Sequence, residues 1–328
     1  MFAAVTGASG MLGNTLVRAL LARGDRVRAL EAGSGTPRSL AGLELEFVRG
    51  SVLDSSAVGS LVRGVDRVFH LAAKIDLDRD RDGTIHAVNV EGTKNVAEAC
   101  VEARVRLVHC SSHAALVKHP LSEPLDESKP LALGDPCDYH RSKARAEQLV
   151  LDLARDRGLD VVVVSPGTIT GPNDFKPSLM GRALIDLYHR KIPILMEVLS
   201  DYVDSRDVAA SMIAAAERGR AGERYLLTGE VLELREMVAY WGDLSGVRMP
   251  KRVLPLWAGW MMLPITLAAA RLTGHPPLFT AGVLRASVSN RIVSHAKAGR
   301  ELGFSPRPVR DSLADALAFY KEVGWIPH

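Results

Sequence analysis

Cysteine is scarce. Only Cys100, Cys110 and Cys137 occur in 328 residues. The count is odd and the spacing unpaired, which excludes a disulfide framework, fits a reducing compartment and leaves no His/Cys pattern of a zinc site, so no metal is expected. An excess of one charge is also lacking: 41 Lys and Arg stand against 38 Asp and Glu, a net charge of +3. With no basic run of five, this balance argues against a nucleic-acid partner. The opening MFAAVTGASG has neither a basic start nor an apolar core ahead of a cleavage site, so a leaderless cytoplasmic protein is expected. No internal repeat or low-complexity segment interrupts the chain. At 47% hydrophobic and 24% charged residues, the composition is globular and the length suits about two folding units.

One stretch is unusually apolar. Residues 253–270 (VLPLWAGWMMLPITLAAA) are broken only by Pro255, Pro264 and Thr266, with Lys251, Arg252 and Arg271 at the flanks. The expectation is a pair of short buried helices. The alternative is a surface that touches lipid or a greasy substrate, since the run reaches the lower bound of roughly 17 residues for a membrane span.

The N-terminal half alternates two periodicities. Strand patterns at Phe2–Val5, Arg26–Glu31, Leu45–Val48, Val65–Leu71, Val105–Cys110 and Leu159–Val164 are separated by helical patterns at Met11–Ala22, Ser55–Val62, Thr84–Ala103 and Tyr139–Arg157. The unbroken valines 161–164 suit a strand covered on both faces. This rhythm predicts an α/β fold, a Rossmann-type doubly wound parallel sheet. Beyond residue 170 the rhythm loosens, and a smaller, mostly helical substrate domain is expected. The expected division is 1–170 for nucleotide binding, with 201–228 rejoining it, and 171–200 with 229–328 for substrate.

Between the first strand and first helix lies Gly7-Ala8-Ser9-Gly10-Met11-Leu12-Gly13. Glycines here let backbone N–H groups approach a pyrophosphate, and the helix N-terminus adds partial positive charge. Glu31 ends the second strand, where a carboxylate accepts hydrogen bonds from ribose hydroxyls and repels a 2′-phosphate. NAD is therefore the expected cofactor. Arg38, a few residues on, keeps NADP as the alternative.

Tyr139 and Lys143 form a Y-x-x-x-K pattern at a helix start, and i, i+4 spacing puts both on one face. A phenol titrates near pH ~10. An ammonium about 4 Å away is worth on the order of 4 kcal/mol, enough to make Tyr139 a usable general acid/base. Ser111 and Ser112 close the fifth strand at its C-terminal end, the edge where open α/β sheets bind ligands.

Together Gly7, Gly10, Gly13, Ser112, Tyr139 and Lys143 resemble the extended short-chain dehydrogenase/reductases. FHLAA (69–73), VNVEGT (88–93), SPGTITGP (165–172), DYVDSRDVA (201–209) and GERYLLTG (222–229) agree. Within that NAD-dependent epimerase/dehydratase superfamily the chain looks most similar to the dihydroflavonol 4-reductase and 3β-hydroxysteroid dehydrogenase branch; DESKPL (126–131) and RLTGHPPLFT (271–280) point the same way. The resemblance implies that Tyr139 moves the hydroxyl proton, Lys143 binds the nicotinamide ribose and lowers the Tyr139 pKa, and Ser112 rather than Ser111 orients the carbonyl. It also implies cofactor contacts from Ser9, Met11, Leu12, Ser51, Val52, Leu71, Ala72, Ala73, Asn89, Pro166, Gly167 and Thr168, and a homodimer.

Departures bear on substrate. Gly50-Ser51 stands where the family often has Gly-Asp, and Ser165 and Thr170 replace a frequent Arg and Tyr. Sugar-nucleotide epimerases commonly place an Arg ahead of the Asp-Tyr-Val motif to hold a diphosphate. Here Leu199 and Ser200 precede Asp201-Tyr202-Val203. The expected function is hydride transfer between nicotinamide and a ketone, aldehyde or secondary alcohol of apolar or aromatic character; the alternative is a nucleotide-sugar epimerase or dehydratase using the same Ser-Tyr-Lys site. His109, His113 and His140 flank these positions and are read as structural. Asp204, Arg206 and Asp207 are read as an ion-pair network between domains.

Overall fold

In the computed structural model, which describes residues 1–77, 80–273, 280–286 and 289–327, the larger lobe is built on a parallel sheet. Its strands are β1 (Phe2–Thr6), β2 (Arg26–Glu31), β3 (Glu46–Arg49), β4 (Arg67–His70), β5 (Arg106–Cys110) and β6 (Val161–Pro166), joined by β10 (Arg224–Leu227). The order is β10-β6-β5-β4-β1-β2-β3, with every neighbouring pair parallel. This is the doubly wound Rossmann arrangement, in which the chain reverses direction across the sheet between β1 and β4. Helices α1 (Met11–Ala22) and α7 (Ser205–Arg218) are buried with one face; α2 (Ser55–Val62), α4 (Gly92–Ala103) and α5 (Asp138–Arg157) with the other. Val162 and Val164 belong to the first core, Val161 and Val163 to the second. A period of two on a strand walled from both sides explains why that run carries no polar residue.

Local signals set the helix ends. Asp54 accepts from the Ser56 and Ala57 amides ahead of α2, and Gly158 ends α5 with φ of +69°, a left-handed stop glycine tolerates. The long helix expected over 84–103 is interrupted: α3 (Thr84–His86) passes through a π-helical turn (Ala87–Glu91) into α4.

The smaller lobe holds β7 (Thr168–Thr170), β8 (Leu195–Met196), β9 (Leu199–Asp204), β11 (Glu230–Glu233) and β12 (Val253–Leu254), with helices α6 (Leu179–Tyr188), α8 (Leu234–Ser245), α9 (Leu256–Thr273), α10 (Ala281–Ala286), α11 (Ala296–Leu302) and α12 (Val309–Glu322). Trp241, Leu184, Leu313 and Tyr320 centre its core. The α11 residues Ala298 and Leu302 turn back into the larger lobe's core beside Val208. The lobes are tied by charge: Arg206 pairs with Asp204 at 2.7 Å and Asp315 at 2.6 Å, and Arg307 with Asp207 at 2.7 Å.

The apolar stretch departs from expectation. It forms one helix, α9, that continues through Pro264, and Trp257, Met261 and Ile265 lie in the open. A proline inside a helix withholds one N–H and bends the ladder, which here is too little to split it. The 271–280 stretch falls partly outside the described residues.

Candidate active site

All the residues singled out for cofactor or catalysis sit at the C-terminal edge of the main sheet or on the helices that rise from it. At the end of β1, Gly7 has φ of +72°, and a Cβ there would lie 2.7 Å from the Ala72 nitrogen. A Cβ on Gly13 would lie 2.0 Å from the Gly7 carbonyl oxygen. Both glycines are therefore required by close backbone approach. Gly10 is exposed and caps α1 without a side-chain hydrogen bond, so the first-turn N–H groups face outward with no internal acceptor. That cradle suits a pyrophosphate. Ser9, Met11 and Leu12 border it, half-buried.

The turn is wired to β4. Thr6 Oγ1 lies 2.7 Å from His70 Nδ1 and accepts from the Leu71 and Ala72 amides at 3.2 and 3.1 Å. His70 Nε2 lies 2.9 Å from Thr93 Oγ1. Burial, with the Lys143 charge adding to it, pushes His70 down to about 3, and burial holds His109 well below its ordinary value. Both rings are therefore neutral at physiological pH. Ala73 follows on the same segment, and the Lys74 amide donates to Asn89 Oδ1 at 2.7 Å. The Asn89 amide nitrogen donates to Lys74 O at 3.0 Å and Ser142 Oγ at 2.9 Å. The Asn89 side chain thereby joins the π-helical turn to the 71–74 segment and to α5. A π turn at a functional edge is a recurrent device.

At the end of β2, Glu31 is half-buried opposite Arg49. The Arg49 guanidinium donates to the Gly33 and Gly35 carbonyls at 3.0 and 2.9 Å, while Arg38 reaches away to Val323 O at 3.3 Å. Arg49 stands opposite Glu31 in the neighbouring strand, a pairing that spacing along the chain does not mark. Ser51 and the buried Val52 follow β3; Ser51 Oγ accepts from the Leu53 amide at 3.2 Å.

Tyr139 and Lys143 are both buried on the first turns of α5. Lys143 Nζ donates to the Cys110 carbonyl at 2.8 Å. Burial lowers the Lys143 pKa against the charges of Cys110 and Glu147. Burial pushes the Tyr139 phenol above its ordinary value, Cys110 adds to this, and the nearby Ser112 hydroxyl works the other way, so the net shift is opposite to the depression expected from Lys143. Desolvation of the phenolate outweighs its neighbours, and the ammonium is engaged by a carbonyl. Ser112 Oγ accepts from the Ala114 amide at 3.2 Å. Ser111 turns away to donate to Glu147, which pairs with Arg224.

Two polar groups escaped the sequence reading. His113 Nδ1 lies 2.7 Å from Asp201 Oδ1, and Asp201 is fully buried. The Pro166–Thr168 segment packs on that carboxylate, since a Cβ on Gly167 would lie 1.8 Å from Asp201 Oδ2. Asp135, Cys137 and His140 bring oxygen, sulfur and nitrogen ligand atoms within 4.8 Å of one another, a juxtaposition that spacing did not suggest. An acid inside a strand, at the third position of β9, was the available signal for Asp201. Next to this edge a cleft of about 520 Å³ is walled by Leu116, Leu121, Leu131, Leu256, Trp260 and Leu284, with Lys118, Asp135 and His140 as polar points.

Residues 3–228 match the NAD dependent epimerase/dehydratase family. The chain belongs to that family. It is 36% identical to the sterol demethylase protein B of Methylococcus capsulatus over 98% of this chain and 99% of the relative. It is 34% identical to the 4-hydroxy-2-methyl-3-oxo-4-farnesyl-3,4-dihydroquinoline-1-oxide ketoreductase of Stigmatella aurantiaca over 95% and 94%. A solved dTDP-glucose 4,6-dehydratase from Streptomyces venezuelae, with NAD bound, superposes with a TM-score of 0.79 at 27% identity, over 99% of this chain and 98% of that one. Relatives named for dihydroflavonol 4-reductase and 3β-hydroxysteroid dehydrogenase place the chain in the extended short-chain dehydrogenase/reductase branch. It is an NAD(P)-dependent oxidoreductase, and the glycine cradle at the end of β1 fits the family's dinucleotide.

Proposed function

We propose that this chain interconverts a ketone or aldehyde with its alcohol, that the substrate has an apolar or aromatic body, and that Tyr139 is the general acid/base. The observation that carries the reading is the burial of Tyr139 and Lys143 together on the first turns of α5, with Lys143 held on the Cys110 carbonyl at the end of β5, beside a leucine-walled cleft. The nicotinamide gives or takes the hydride when bound. Ser112 orients the carbonyl oxygen toward the phenol. Tyr139, kept protonated by burial, donates its proton to that oxygen in the reducing direction. Lys143, anchored on the Cys110 carbonyl, presents its remaining N–H donors to the nicotinamide ribose. The reverse oxidation needs the phenolate, so its rate should climb with pH above neutrality while reduction does not.

The test is Tyr139→Phe assayed by NADH absorbance on a panel of apolar ketones and aldehydes. Turnover should fall by at least about a hundredfold with NAD affinity unchanged; near-normal turnover overturns the assignment. The likeness to a dehydratase of a nucleotide sugar supports a second reading, a redox-neutral epimerase or dehydratase. Conversion of a nucleotide sugar with no net change in NADH would select it.

A further inference from the structure

The helix α9 is apolar all round, a pattern that ordinarily means burial. Among the described residues only one side is covered. On that side Gly259 packs against Met196 and Leu284. On the other, Trp257, Met261 and Ile265, spaced i, i+4 and i+8 along one stripe, are 65, 70 and 67% exposed. Trp260 and Leu267 widen the stripe, and Val253, Val283 and Ile292 are exposed in the segments around it. An exposed ridge of this kind marks a surface meant to be covered.

Charge says by what. Residues 244–300 contain Arg248, Lys251, Arg252, Arg271, Arg285, Arg291, Lys297 and Arg300 and no Asp or Glu. Arg248, Lys251, Arg252, Arg285 and Arg291 are exposed, and the Arg285 guanidinium lies 5.6 Å from the Trp260 ring centre. Lys297 is paired with Glu223 at 2.6 Å, and the exposed Glu197 lies beside Leu254; the five exposed cations outnumber that acid, and an apolar ridge with such a basic surround is complementary to anionic headgroups over an acyl boundary. A second copy of the chain would bring the same cations face to face, which disfavours self-association through this surface. No helix among the described residues is long and apolar enough to cross a membrane, so the contact is with a surface.

We infer that the α9 face docks on anionic bilayers. Leu256 and Trp260 line the leucine-walled cleft from the same helix, so docking would set that cleft against lipid. This goes beyond the catalytic reading and does not depend on it.

The test is co-sedimentation of the full chain with vesicles of phosphatidylcholine alone or with 30% phosphatidylglycerol. The wild type should pellet with the anionic vesicles only, with a blue shift of tryptophan emission and release by salt. The exposed pair Lys251→Glu/Arg252→Glu should weaken binding by at least about thirtyfold. The triple variant Trp257→Ser/Met261→Ser/Ile265→Ser should abolish it while melting temperature and NAD affinity stay near wild type. A wild type that stays in solution with both vesicles, or charge variants that bind undiminished, overturns the proposal. So does a wild-type dimer that the triple variant converts to monomer without any vesicle binding by either, for the face would then join two copies. The assay needs no turnover, so failure of the catalytic reading leaves it standing, and the reverse.

Discussion

Gly13 and Gly259 are both helical glycines, and a methyl group added to each meets different kinds of neighbour. At Gly13, in α1, the nearest atoms are backbone: the Gly7 carbonyl oxygen at 2.0 Å and the Ala8 Cα at 2.9 Å. At Gly259, in α9, they are the tips of flexible side chains, Met196 Cε at 2.4 Å and Leu284 Cδ2 at 2.9 Å. The cofactor edge is main chain against main chain and cannot give. The packing of α9 is side chain against side chain and can.

The largest expected effect breaks this contrast if it fails. Gly13→Ala should weaken NAD binding by at least about a hundredfold, near 2.7 kcal/mol, because α1 must move off the turn that presents its N–H groups. Gly259→Ala should leave NAD affinity alone and change unfolding free energy by less than about 1 kcal/mol, the rotamer adjustment being offset by better helix propensity. Calorimetric titration and urea unfolding of the two variants measure both. Equal effects at the two sites would mean that the cofactor edge is as compliant as the packing of α9.

The same contrast governs what could be read in advance. The sheet was legible because each signal is local: the glycine turn, the valine run at 161–164, the alternating periods. Strand and helix limits in the larger lobe differ from expectation by at most a few residues. The Tyr139/Lys143 pair was legible from spacing within one helix. What was not legible depends on contacts between distant segments. His113 meets Asp201, Ser111 is occupied by Glu147, and Arg49 stands opposite Glu31; none is marked by spacing. The sign of the Tyr139 shift was missed for a similar reason, since desolvation is set by everything packed around the ring. The α9 stretch was read as buried because composition reports apolarity and not what covers it.

A sharper probe of the rigid edge is Asn89→Leu. It removes two donated bonds and one accepted bond and strands the Lys74 amide and carbonyl. Each buried polar group left unpaired costs about 1–3 kcal/mol, so a loss of roughly 2–4 kcal/mol is expected by urea unfolding, with turnover falling more than NAD affinity because Ser142 on α5 keeps its bond to the Tyr139 carbonyl but loses the one from Asn89. A loss below about 0.5 kcal/mol would show that the 71–74 segment is held by other means.

His70 gives the rigid edge a pH signature. Its folded-state value, about 3, is lower than the ordinary 6.5, so below 6.5 the unfolded chain binds a proton that the folded chain refuses. The stability it contributes is fully present above about pH 6.5 and is lost as the pH falls toward 3, by about 1.4 kcal/mol per pH unit. His109, also held low by burial, acts in the same direction. His70→Asn should flatten the dependence of unfolding free energy between pH 6.5 and 4.5 by about that slope. An unchanged slope would show that the ring takes up a proton without unfolding.

The smallest effect lies at the end of β2. Glu31 ends β2 with its side chain half-buried, and a carboxylate there accepts from a ribose diol but repels a 2′-phosphate. Arg49, opposite it in β3, already lies along the same loop through the Gly33 and Gly35 carbonyls. In Glu31→Gln the like charge is gone and that cation remains. The ratio of kcat/KM for NADPH over NADH should therefore rise about tenfold, a change of ~1.4 kcal/mol. Glu31→Gln combined with Arg49→Ala should return most of the gain, since the phosphate would then find no cation to meet it. If the single change leaves the ratio where it was, cofactor choice is made elsewhere on the edge, and the carboxylate at the end of β2 is only a solvated strand terminus.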